Sequence, residues 1–239
     1  MKDLRDFTPA RVSLGRAGSG LPTRAHLEFQ LAHARARDAV HHPLDAAALA
    51  LDLASLGLPV VRAASAAQNR TGYLRDPNAG RTLNLASRES LAALHGAFDA
   101  VFLVADGLSA LAVHRHAAHL LACLLPSLAD WPLAPIVVAE QARVALGDQV
   151  GAAIGAAMSV VLIGERPGLS SPDSLGAYLT WSPAAGRTDA ERNCISNIRP
   201  EGLPYPLAAH RLLFLMNESR RRKLSGVPLK EEAALPPPA

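Results

Sequence analysis

This chain has little cysteine, few aromatics and almost no lysine. Its 239 residues hold only Cys123 and Cys194, which excludes a disulfide framework as the basis of the fold. Cys123 lies in a Leu/Ala-rich helical stretch and reads as a small core residue. Aromatics make up 4% of the chain, so its core must be built mostly from Ala, Leu and Val. The hydrophobic share of 49% suffices for a sizeable core. Lysine occurs only at positions 2, 223 and 230, a bias assigned to base composition rather than function. The formal net charge is +3, with no face-sized cluster of cations. That excludes the electrostatic footprint of a nucleic-acid binder. The one dense run, Arg220-Arg221-Arg222-Lys223, ends a helical pattern, where solvated cations suit the helix dipole.

Other signals are missing too. No leader pattern opens the chain, and no apolar run is long enough to cross a bilayer. No membrane association is expected, and the expected location is cytoplasmic. The segment Gly15-Arg16-Ala17-Gly18-Ser19-Gly20 is glycine-rich but fits neither the dinucleotide nor the phosphate-loop spacing. It also follows no strand. A nicotinamide-linked oxidoreductase, suggested by the α/β pattern alone, lacks its glycine fingerprint. His114, His116 and His119 stand at i, i+2 and i+5, which do not share one helix face. They are read as spread over partner-facing and solvent-facing sides, with no metal site.

What is present is a regular alternation. Residues 1–22 read as irregular. A helix follows from Thr23, a candidate N-cap, to about Val40, with Leu27, Leu31, Ala34 and the Ala39/Val40 pair on its apolar side. A second short helix spans Asp45 to Leu56. Strands are expected over Leu58–Ala63, Phe98–Val104, Pro135–Ala139 and Ser159–Ile163, with one more at Leu179–Ser182. Helices are expected from Ser87 to His95, Ser109 to Leu125 and Asp148 to Ala157. A closing helix runs from Pro206 to Lys223. Residues 66–84 read as turn-rich. Short apolar strands joined by helices of about ten residues or more imply right-handed crossovers and a parallel sheet buried on both faces. The chain divides into an arm and helices over 1–56, an α/β domain over 57–227 and a disordered Pro-rich tail over 228–239.

Three strands deliver polar groups to one rim: Asp106-Gly107, then Glu140-Gln141 with Arg143 and Val144, then Glu165-Arg166. In open α/β sheets ligands bind beyond the carboxyl ends of the strands. Acidic residues after strands also cap the helices that follow, so the rim alone leaves both readings open.

A resemblance is carried by four segments. They are Phe7 to Gly18 through Leu21-Pro22-Thr23, Asp106-Gly107-Leu108-Ser109, Gly164-Glu165-Arg166-Pro167-Gly168-Leu169, and Cys194-Ile195-Ser196-Asn197-Ile198. In this order and spacing they resemble the small subunit family of ethanolamine ammonia-lyase, over roughly residues 4 to 227. The resemblance implies an adenosylcobalamin-dependent lyase of ethanolamine degradation, a radical enzyme that yields acetaldehyde and ammonia. It implies a Rossmann-like, mostly parallel sheet flanked by helices, with an N-terminal helical segment. It also implies a large (β/α)8-barrel subunit that holds substrate, and a hetero-oligomer of several large–small pairs. A bacterial microcompartment is one location that it implies.

Cobalamin contacts carry over onto Val144, through side chain or backbone, and onto Glu165 and Cys194. Glu165 would accept hydrogen bonds from corrin amides, and Cys194 would offer apolar contact or a weak S–H donor. No base accompanies Cys194 as a nucleophile would require, and no catalytic acid or base is expected on this chain. The string Asp-x-His-x-x-Gly, which supplies a lower cobalt ligand in other cobalamin proteins, does not occur. The resemblance therefore implies base-on binding, with the cofactor's own dimethylbenzimidazole on cobalt. The alternative is a cobalamin-binding or structural subunit without a catalytic partner.

Overall fold

The structure, a computed structural model, describes residues 4–8 and 10–230. Six strands form one sheet: β1 (Val60–Ala64), β2 (Phe98–Ala105), β3 (Ile136–Glu140), β4 (Ala156–Gly164), β5 (Leu175–Trp181) and β6 (Arg192–Ile198). Their order is β1-β3-β2-β4-β5-β6. The first four in that order are parallel. β5 and β6 then run antiparallel. The chain is thus α/β as expected. The sheet is mixed, however, and so does not establish a Rossmann-like fold.

Seven α-helices lie among the described residues: α1 (Thr23–His41), α2 (Ala46–Ala54), α3 (Arg70–Arg75), α4 (Leu85–Ala92), α5 (Ala110–Leu124), α6 (Leu146–Ile154) and α7 (Tyr205–Arg222). None is long and apolar enough to cross a membrane. Two cores sandwich the sheet. On one face Leu49, Leu53, Leu120, Leu121, Leu212 and Met216, from α2, α5 and α7, cover Phe102, Val138 and Val160. On the other, Leu91 of α4 and Leu146, Val150 and Ile154 of α6 cover Leu103, Val137 and Val161. Continuous burial along β2 and β4 follows from helices on both sides. The helices packed on β5 and β6 are α5 and α7, both from the first face. On the second face the antiparallel pair runs out past α6. The sheet is open there, beside the carboxyl ends of β2 and β4.

Several local expectations change, among them Cys123, which is exposed on α5 rather than part of the core. Asn84, not Ser87, caps α4 by accepting from the Ser87 N–H at 2.8 Å. The Ser87 hydroxyl instead accepts from Ala64 N on β1. Thr23 is the first helical residue after Pro22 and makes no side-chain cap. The turn-rich segment 66–84 holds α3, capped by Asn69. The charged turn before Cys194 leads into β6, which sequence patterning did not reveal. Arg220 is not merely solvated: it meets Asp99 at 2.6 Å and lies over the Trp131 ring. His116 is buried rather than surface-facing, with Nδ1 at 2.8 Å from the Tyr205 hydroxyl.

α1 differs most. Its buried residues are Ala32 and Ala39, whereas Leu27 and Leu31 are 56% and 52% exposed. The helix rests its small residues on the body and turns its leucines outward. Leu229 at the start of the supposed tail is buried, and its carbonyl accepts from Asn193 at 2.6 Å. The chain is therefore packed through residue 229. Residues 231–239 lie outside the described residues.

Candidate functional site

The rim is built on a close backbone approach. β2 and β4 are neighbours, and the Leu108 N–H donates to the Gly164 carbonyl at 2.9 Å. Gly107 has φ +54°, and a Cβ there would strike the Gly164 carbonyl and Ile163. A Cβ on Gly164 would strike the Ser109 carbonyl. Only glycine fits both places, which explains the Asp106-Gly107 and Gly164-Glu165 pairs.

Asp106 does not face a ligand. It is 2% exposed. One carboxylate oxygen accepts from Ala142 N at 3.0 Å, the other from Arg70 Nη1 at 3.2 Å. Arg70 also donates to the carbonyls of Gly107 and Val40, both at 2.8 Å. Asp106 thereby ties β2, the loop after β3, α3 and the end of α1. Burial raises its pKa to about 6, against the opposing pull of the Ala142 N–H and Arg70. Glu140 is likewise engaged, in a surface pair with Arg62 at 2.8 Å. Of the expected rim set, Gly107, Arg143, Val144, Glu165 and Arg166 face the open side.

Two hollows lie there. The first, about 610 Å³, is bounded by Gly107, Gly164, Glu165, Arg166, Asn197 and Arg199. The second, about 650 Å³, is bounded by Arg81, Gln149, Arg187, Thr188, Asp189 and Arg192. Arg143, Val144 and Tyr178 line both. Val144 sits just ahead of α6, where its carbonyl accepts from Gly147 N at 3.0 Å.

Glu165 reaches over Gly176 of β5 toward β6. One oxygen accepts from the Ser196 hydroxyl, the other from Asn197 N at 3.1 Å. Asn197 is held at φ +58°. Glu165 thus fastens the end of β6, and each oxygen keeps a lone pair for another donor. Cys194 stands opposite Tyr178 across the β5–β6 ladder, with its side chain exposed. Burial of its inner side is the largest cause that raises its thiol pKa, and the Glu165 charge adds to it. A raised pKa suits a neutral contact and not a nucleophile. Val144, Glu165 and Tyr178 line the first hollow, whereas Cys194, opposite Tyr178 on β6, lines neither hollow.

Sequence reading missed the supports. Tyr73 is fully buried and lies between Arg143 and Arg70, whose guanidiniums are 4.2 and 4.9 Å from its ring centre. Arg192 and Asp148, each 3% exposed at the side chain, form a two-pronged pair at 2.6 and 2.7 Å. Arg192 also donates to Thr180 Oγ1 and the Arg187 carbonyl. No local motif signals this pair, whose members lie 44 residues apart.

These features define an α/β protein with a broad, arginine-lined shelf at the edge of a mixed sheet. The family model described as ethanolamine ammonia-lyase light chain (EutC) matches residues 1–230, and the chain belongs to that family. It is 57% identical to the ethanolamine ammonia-lyase small subunit of Azotobacter vinelandii, over 97% of this chain and 88% of the relative. It is 57% identical to that of Ralstonia nicotianae, over 98% and 88%. A Pseudomonas fluorescens small subunit is 56% identical, over 97% and 86%.

Proposed function

We propose that this chain is the small subunit of an adenosylcobalamin-dependent ethanolamine ammonia-lyase, holding the cofactor against a catalytic large subunit. The observation that carries this reading is that Val144 and Glu165 line one open hollow, with Cys194 beside it opposite Tyr178. Each lies on a different element, and only the fold brings them together.

The residues present suit such a cofactor. The two hollows are each of a size usual for cofactor sites, and they share a wall. Amide arms need both acceptors and donors. Glu165 supplies acceptors, while Arg143, Arg166, Arg199, Ser170 and Ser171 supply donors. The shelf is open on one side, as a site completed by a second chain must be. When bound, adenosylcobalamin supplies the radical chemistry that removes ammonia from ethanolamine and leaves acetaldehyde. Val144 and Tyr178 exclude water from the inner wall. Glu165 orients amide groups, and Cys194 extends the contact surface along β6. No residue here needs to move a proton.

The partner would cover the shelf and the outward leucines of α1. That helix stands next to the rim, because Arg70 joins its Val40 carbonyl to Asp106.

The test is co-expression with a large subunit and an acetaldehyde assay with and without adenosylcobalamin. Cofactor-dependent acetaldehyde is expected. Cofactor binding without acetaldehyde would favour the alternative, a binding subunit with no catalytic role. Activity without cofactor, or no binding, would overturn the reading.

A further inference from the structure

The charges around the two hollows are not evenly matched. The first holds Arg143, Arg166 and Arg199 against Glu165, whose oxygens already accept from Ser196 and Asn197. The second holds Arg81, Arg143, Arg187 and Arg192 against Asp148 and Asp189. Arg192 is taken up by Asp148 and Asp189, and Arg187 by Glu191. Among the described residues, Arg166 of the first hollow has no carboxylate within ion-pair distance, nor have Arg81 and Arg143, the two such arginines on the second.

Arg143 is the more constrained of the two. Its guanidinium lies over Tyr73, 4.2 Å from the ring centre. Its Nη2 makes one long bond, 3.3 Å, to the Tyr73 carbonyl. Its Nε is buried and has no partner. A buried guanidinium N–H without an acceptor is costly, so the packing holds this group ready for one. Arg143 also lines both hollows, so a ligand reaching from one to the other must pass it.

We infer that Arg143, with Arg81 on the same second hollow, forms a subsite for the phosphodiester of the cofactor's nucleotide tail. This rests on the cobalamin reading above and assigns a separate part of the ligand. The amide-fringed ring calls for hydrogen-bond acceptors and donors, which Glu165, Ser170 and Ser171 offer on the first hollow. The phosphodiester is the tail's anionic group, and a planar guanidinium fork matches it. Tyr73 fixes the plane of that fork, and Gly80 leaves room for its stem, since a Cβ there would meet both Arg143 and Tyr73.

The test compares cyanocobalamin with dicyanocobinamide, which keeps the corrin ring but lacks the phosphodiester and base. Both are titrated by visible absorbance into the complex with the large subunit. Arg143→Gln is expected to weaken cyanocobalamin about 10- to 100-fold and to shift cobinamide less than about threefold. Arg81 is exposed and unpaired, so Arg81→Gln keeps the fold. It should show the same selectivity with a smaller loss, and it decides the matter if Arg143→Gln does not assemble. Equal losses for both ligands, or no loss for either, would overturn the subsite. A wild-type complex that binds neither ligand would instead overturn the cobalamin reading itself.

Discussion

Asp106 shows how one residue can look like a ligand group and act as a strut. In sequence it ends a strand on the rim, as Glu165 does. In the structure it is enclosed, bound by Ala142 N and Arg70, while Glu165 reaches the open face. Sequence could not separate the two, since the distinction depends on Arg70 and on the loop after β3. Burial holds the Asp106 pKa near 6, above its ordinary 3.8. The folded chain therefore binds this proton more tightly than the unfolded chain. The resulting stability is full below about pH 4 and is lost as pH rises to about 6, a change of about 3 kcal/mol. Asp106→Asn should flatten that slope in urea unfolding measured at pH 4, 5 and 6. An unchanged slope would assign the pH dependence elsewhere.

The elements divide by how local their signals are. β2, β3 and β4 were legible because helices on both faces make them almost wholly apolar. α5 and α7 were legible from helical periodicity. β6 was not, because its outer residues Cys194, Ser196 and Asn197 are polar and exposed, and only Ile195 and Ile198 face the core. Its start depends on the Arg192–Asp148 pair, which no short window contains. Apolar spacing puts the α1 leucines on the core side because it does not say which apolar stripe faces inward. Removing one partner of the buried pair strands the other charge. Asp148→Ala should cost about 3–5 kcal/mol in urea unfolding. It should also loosen the Thr188–Glu191 turn that leads into β6, visible as faster amide exchange at Arg192 and Asn193. A cost below about 1 kcal/mol would show that water relieves Arg192.

At the scale of the molecule, the shelf and α1 read as two parts of one surface. Leu4, Phe7, Leu21, Leu27, Phe29 and Leu31, all exposed, fall within the first 31 positions, while Leu51, Leu85 and Val227 are single, more exposed residues elsewhere in the chain. Contiguous exposed apolar surface marks an interaction site. Covering the exposed halves of Leu27 and Leu31 would stabilise a complex by about 1 kcal/mol each. The double variant Leu27→Glu/Leu31→Glu should therefore weaken association with the large subunit about tenfold or more, read by gel filtration of the mixed chains. It should leave the unfolding midpoint of the small chain unchanged. Unaltered association would remove α1 from the interface.

The central claim is that the face bearing Val144, Glu165 and Cys194 holds cobalamin. Its most direct test is a titration of the co-expressed complex with adenosylcobalamin, compared with the large subunit alone and with a Glu165→Ala complex. The account predicts saturable binding equimolar with the small chain, weak retention by the large subunit alone, and about tenfold lower affinity for Glu165→Ala with assembly intact. Equal affinity in all three preparations would contradict it.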